Sequence, residues 1–141
     1  VLEDCGRKGV KRAVIETAGF SEYSEEGRKI EEEVVAIAEK YGIRFIGPNC
    51  IGVINMENGF SVPFPRLKPF MRKGGVSVIT QSGGIGLSIM NHMATEGIGL
   101  NKFASVGNQL NIDAADLLEY LRDDRWSVHA MGHVGTYALD F

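Results

Sequence analysis

The chain has 141 residues, 44% of them hydrophobic, enough for one ordinary domain or for parts of two smaller ones. A net charge of -3 offers no basic face to nucleic acid, and the longest apolar runs fall well short of a membrane span. Two distant cysteines, Cys5 and Cys50, form neither a disulfide framework nor a metal-ligand pattern, so no metal site and a reducing, cytoplasmic setting are expected.

The start, Val1-Leu2-Glu3-Asp4, has neither the basic end nor the apolar stretch of a signal peptide. It lacks an initiating Met, so the chain is expected to begin inside a longer protein. Eighteen glycines then punctuate short runs that alternate between strand and helix patterns, which predicts an α/β fold with parallel strands. Val10 to Ile15 reads as a buried strand ending at Ala18-Gly19. From Glu25 to Tyr41, apolar Ile30, Val34, Val35, Ile37, Ala38 and Tyr41 recur at helical spacing, with Ser21 or Ser24 as cap and Gly42 as stop. Arg44-Phe45-Ile46 is a second short strand, closed by Gly47-Pro48-Asn49.

Met56 to Gly75 contains Pro63, Pro65 and Pro69, and no regular element is expected there. We place a linker at 65–74, between one unit at 1–64 and another at 75–141. Beyond it come a strand at Val76–Thr80, a tight loop at Gln81–Gly84 and a helix from Ile85 to Glu96. A strand at Phe103–Val106 follows, then Gly107-Asn108-Gln109 and a helix from Asp113 to Arg122 capped by Asp113 or Asn111. Val128 to Met131 reads as a weak last strand.

The sharpest local feature is Thr80-Gln81-Ser82-Gly83-Gly84, between a buried strand and a helix. A helix N-terminus presents unpaired N–H groups and partial positive charge, and glycines let the backbone come close to an anion such as phosphate. The hydroxyls of Thr80 and Ser82 can add donors, and a plain tight turn is the competing interpretation. The loop is neither a P-loop nor a complete dinucleotide fingerprint. Gly47-Pro48-Asn49-Cys50-Ile51-Gly52 lies at the carboxyl end of a strand, the edge where ligands sit in open α/β sheets. Cys50 has no neighbouring His or basic group to activate it, which favours a buried, inert thiol. Thr17-Ala18-Gly19 ends the first strand similarly, and a simple turn explains it from its residues alone. His92 fits the polar side of its helix, and the pair His129 and His133 lacks the acidic partner of a metalloprotease motif.

Four ordered segments, VKRAVIETAGFSE, YGIRFIGPNCIGVIN, GGVSVITQSGGIGLSIMNHMATEGIGL and FASVGNQLNIDAADLLEYLRDD, resemble the NDP-forming acyl-CoA synthetases over most of the chain. That family includes ADP-forming acetyl-CoA synthetase and, more distantly, the succinyl-CoA synthetase alpha subunit. The resemblance implies part of a CoA-binding Rossmann domain followed by the start of a flavodoxin-like ligase domain. It places Thr17, Ala18 and Gly19 beside the CoA nucleotide, and Pro48, Asn49 and Cys50 near the thiol end. It gives Thr80, Gln81, Ser82, Gly83 and Gly84 the phosphate of a phosphohistidine intermediate. The implied chemistry is acyl-CoA + NDP + phosphate ⇌ acid + CoA + NTP, through an acyl phosphate.

Three parts of the family pattern are missing: the first βα unit of the CoA domain, the phosphorylated histidine, and the nucleotide-binding grasp domain. No catalytic residue is therefore expected within the chain, which by itself should lack turnover and bind CoA weakly. ADP or ATP and Mg would be held by other regions of the parent, in a partner subunit or a fused domain. His133 occupies the place of the family's acidic residue and is not assigned as the phosphorylated one; Thr136 to Phe141 match nothing in the pattern. The alternative is a CoA- or acyl-CoA-sensing regulatory module fused to a protein acetyltransferase.

Overall fold

The computed structural model describes residues 1–63 and 71–127, and the backbone of 129–133. The side chains of His129 and His133, and all of Thr136 to Phe141, lie outside the described residues. The expected α/β architecture is present as two layered lobes.

The upstream lobe holds a short helix α1 (Leu2–Arg7), strand β1 (Arg12–Val14), helix α2 (Glu25–Tyr41) and strand β2 (Arg44–Ile46). β1 and β2 pair in parallel. Of the two candidate caps for α2, Ser24 is the one used: its hydroxyl accepts from the Gly27 N–H at 3.1 Å. Gly42 ends the helix in the left-handed conformation. Ala38, Ile43 and Phe45 form the core, and Leu110 from far downstream packs against it.

The second sheet has five strands in the order β4-β3-β6-β5-β7: β3 (Gly52–Asn55), β4 (Phe60–Pro63), β5 (Lys73–Thr80), β6 (Leu100–Ser105) and β7 (His129–His133). β6, β5 and β7 are parallel, whereas β3 runs antiparallel to both β4 and β6. The hairpin corrects the expectation of an irregular Met56–Gly75 segment. β4 is an edge strand with Pro63 at its last position, where a missing N–H is tolerated. The hairpin also carries upstream sequence into the downstream sheet.

Helix α3 (Gly83–Glu96) connects β5 to β6, and α4 (Ala114–Arg122) leads from β6 back past β5 to β7. Right-handed crossovers running in opposite directions put the two helices on opposite faces. Packing agrees with this. Met90 and Met93 of α3 meet Val78 and Phe103, while Leu121 of α4 meets Ile79 and Val106. Val78 and Ile79 are adjacent in β5 and so point to opposite faces. α4 starts with a reciprocal capping box between Asp113 and Asp116.

At the amino ends of β5 and β6 a polar cluster joins the sheet to the segment after α4. Lys102 Nζ lies 2.7 Å from Asp124 Oδ2 and 3.3 Å from Glu57 Oε2. Asn101 Nδ2 and Ser127 Oγ donate to the same Asp124 oxygen at 2.9 and 2.7 Å. Burial alone would raise the Asp124 pKa, but the hydrogen bonds from Lys102 and Ser127 and the Lys102 charge outweigh it and hold it at about 2.

Candidate functional site: a cleft between the lobes

β5 and β6 are neighbours whose crossovers leave toward opposite faces. A crevice must open between their carboxyl ends, and such switch points are where open α/β sheets bind ligands. The loop after β5 is Gln81–Ser82, and the loop after β6 begins Val106-Gly107-Asn108. The loops after β1 and β2 arrive from the other lobe. Asn49 N–H donates to the Thr17 carbonyl at 3.0 Å, and Asn108 N–H donates to the Pro48 carbonyl at 2.9 Å. Four strand-end loops thus converge on one cleft of about 740 Å³, with Glu22, Arg28, Asn49, Gln81, Ser82 and Asn108 among its lining.

Close approach of bare backbone makes the convergence possible. Gly107 has φ +56°, and any side chain there would collide with the Pro48 carbonyl. A side chain at Gly83 would collide with Ile51. Among the described residues, Asn49 and Gln109 are the non-glycine residues with left-handed backbone, each at φ 57°, and both sit at this junction.

The expected anion loop has this geometry. Ser82 is the N-cap of α3, and its hydroxyl accepts from the Ile85 N–H at a long 3.4 Å. The Gly83 and Gly84 N–H groups have no acceptor among the described residues. One oxygen of the chain's own therefore caps the helix start, yet two donors remain, and Ser82 and Gly83 line the cleft. Thr80 is fully buried, and its hydroxyl donates to the Ser82 carbonyl at 3.0 Å, which holds the loop's shape. Gln81 Oε1 is buried without a partner among the described residues.

Of the residues expected beside CoA, Thr17, Ala18 and Gly19 are exposed but do not line this cleft, whereas Asn49 is exposed and lines it, and Pro48 is buried. The Cys50 thiol points inward and donates to the Ile15 carbonyl at 3.4 Å. Burial raises its pKa, so the thiol stays protonated. His92 is exposed on α3, away from this lining. Among the described residues, no group of three or more His, Cys, Asp or Glu is placed to hold a metal ion. None of the helices described is long and apolar enough to cross a membrane.

Sequence reasoning missed Glu22, Glu31 and Asn108. Asn108 Nδ2 donates to Glu22 Oε2 at 2.7 Å and to Glu31 Oε1 at 2.8 Å, and its Oδ1 accepts from Asn49 Nδ2 at 3.3 Å. The available signal was an Asn directly after a strand-end glycine, on the edge where ligands bind. The two glutamates are separated by eight other residues and only their folding brings them together.

Known proteins share this fold. Residues 1–56 match the CoA binding domain family, and residues 73–133 match the succinyl-CoA ligase like flavodoxin domain family. The chain is 49% identical over 122 residues to the alpha subunit of ADP-forming acetate–CoA ligase II of Pyrococcus furiosus, which covers 86% of the chain and 26% of that protein. It is 46% identical over 124 residues to an ADP-forming acetate–CoA ligase of Methanocaldococcus jannaschii, covering 88% of the chain and 17% of the relative. The chain belongs to the NDP-forming acyl-CoA synthetase family. A solved family structure, the dinucleotide-forming acetyl-coenzyme A synthetase 1 of Candidatus Korarchaeum cryptofilum in complex with phosphate and ADP, superposes with a TM-score of 0.89. The two are 34% identical, and the match covers 99% of this chain and 29% of that one. The chain spans about a quarter or less of the curated relatives named here.

Proposed function

We propose that the cleft is the CoA and phosphate site of an acid–thiol ligase that interconverts acyl-CoA, NDP and phosphate with acid, CoA and NTP. The observation that carries this is the meeting of both lobes' strand-end loops around the two unpaired amides at the start of α3. The relatives named above are ligases, which favours this reading over a regulatory module.

In this reading Thr17, Ala18 and Gly19 flank the CoA nucleotide, and Pro48, Asn49 and the Cys50 backbone flank the pantetheine end. Small exposed residues let a flat or charged group approach the first loop, and Asn49 offers an amide at the second. The Gly83 and Gly84 N–H groups and the Ser82 hydroxyl hold a phosphoryl oxygen. Preorganised donors in a cleft lower the energy of charge that develops there. Glu22 sits in the same cleft, but its oxygens are engaged by Gly19, Phe20 and Asn108. Burial opposes ionisation of Glu22, and those hydrogen bonds outweigh it, leaving its pKa lowered. The nucleotide, Mg and the phosphorylated histidine would come from parts of the parent outside this chain, in a grasp-domain subunit or a fused domain. The parent is proposed to work in the cytoplasm, on CoA and acyl-CoA.

Calorimetry with inorganic phosphate and with CoA tests the assignment. Gly83→Pro removes one donor at the first helical position, where the helix itself does not need it, and it is compared with Gly83→Ala, which meets Ile51 in the same way and keeps the donor. Losing a hydrogen bond to a charged group should weaken phosphate binding about tenfold or more. Equal affinity in the two variants would count against the site.

A further inference from the structure

We infer that Asn108 is a positioning residue: its carboxamide sets the spacing between the CoA-side wall and the phosphate-side wall of the cleft. The inference rests on the cleft being the ligand site proposed above. Asn108 follows β6 in the downstream lobe, yet every side-chain partner it has among the described residues belongs to the upstream lobe. Its two amide hydrogens go to two carboxylates, and its oxygen takes a hydrogen from Asn49. That pattern fixes the amide's orientation, because the reversed group would point its oxygen at Glu22 and Glu31.

The carboxylates are themselves anchored. Glu22 Oε1 accepts from the Gly19 and Phe20 N–H groups at 2.7 and 3.1 Å, and buried Glu31 accepts from Ser21 Oγ at 2.8 Å. One neutral side chain therefore ties the loop before α2, α2 itself and the Asn49 loop to the end of β6. The charged groups that face it are Glu22 and Glu31, and Arg28 of α2 is the cation lining the cleft among the described residues. A third carboxylate in place of the amide would have the same shape and would be repelled by the other two.

Asn108→Asp makes the test, alongside Asn108→Ala, with calorimetry against CoA and NMR hydrogen exchange in the absence of ligand. In Asn108→Asp near neutral pH, CoA affinity should fall about tenfold or more through like-charge repulsion. Protection of the Gly19 and Phe20 amides should fall with it, while Val78 and Ile79 in β5 keep theirs. At mildly acid pH, as the introduced carboxyl takes up a proton and its repulsion is relieved, affinity should recover toward wild type in Asn108→Asp but not in Asn108→Ala. A merely structural defect would not recover. Wild-type affinity and protection in Asn108→Asp at neutral pH would overturn the inference. If Asn108→Asp unfolds, judged at Val78 and Ile79, then wild-type protection of Gly19 and Phe20 in Asn108→Ala overturns it instead. Loss of protection in a chain whose wild type binds neither CoA nor inorganic phosphate would sink the proposed function and leave the tie standing.

Discussion

The two lobes build the two walls of one cleft by different means. The downstream wall stands on a five-stranded sheet with apolar packing on both faces, and the start of α3 is fixed by β5 behind it. The upstream wall rests on two strands of three residues each and borrows part of its support. Leu110 fills its core, and the 110–112 segment bonds along β2: Leu110 N–H donates to Gly47, Ile112 N–H to Phe45, and Asn111 Oδ1 accepts from Phe45 N–H. The proposed anion cradle needs fixed dipoles, and the sheet supplies them. A cleft proposed to admit a long coenzyme can use a wall held by a few polar ties, because such ties break one at a time.

Substitutions can break or sharpen that contrast. The largest effect is expected in the downstream core: Phe103→Ala should destabilise the protein by about 3–5 kcal/mol in urea unfolding. A loss below about 1 kcal/mol would mean the sheet is not the stable half. Next comes the buried pair at the other end of the same strands, where Asp124→Asn leaves Lys102 with only Glu57. We expect a loss of about 2–3 kcal/mol at neutral pH. The pH dependence has a definite sign. The folded pKa of Asp124, about 2, is below its ordinary value, so its contribution is present above about pH 4 and is lost as pH falls toward 2. Stability curves of wild type and variant should converge across that window, and parallel curves would contradict the assigned pairing. The smallest effect is the most diagnostic. Leu110→Ala should cost about 1–2 kcal/mol for a partly buried side chain. Its hydrogen exchange should speed up at Ile43 and Phe45 in the upstream lobe, not at its sequence neighbours in the downstream sheet. Loosening confined to the downstream sheet would show that the upstream lobe supports itself.

Much of this was legible in the residues, and the illegible parts share a cause. Helices α2 and α4 announced themselves by apolar spacing and by cap candidates that included Ser24 and Asp113, because capping is local chemistry; α3 was legible from its spacing, but its start at Gly83 and its cap Ser82 were read as loop. The β3–β4 hairpin was missed because three prolines in twenty residues mask a short edge strand that tolerates one of them at its end. The loop proposed to hold an anion was visible as Gln81-Ser82-Gly83-Gly84 between a strand and a helix. Its setting in a cleft shared with the Asn49 loop depends on strand order, which local patterns do not encode. Asn108 was passed over as a turn residue for the same reason. Its meaning lies in Glu22 and Glu31, more than seventy positions away in sequence.

Titration of the wild-type chain with inorganic phosphate, followed amide by amide in NMR spectra, bears most directly on the cleft. Saturable shifts should centre on Gly83 and Gly84, with smaller changes at Gln81 and Asn108. Saturable shifts confined to surfaces remote from the start of α3, with Gly83 and Gly84 unmoved, would contradict the account.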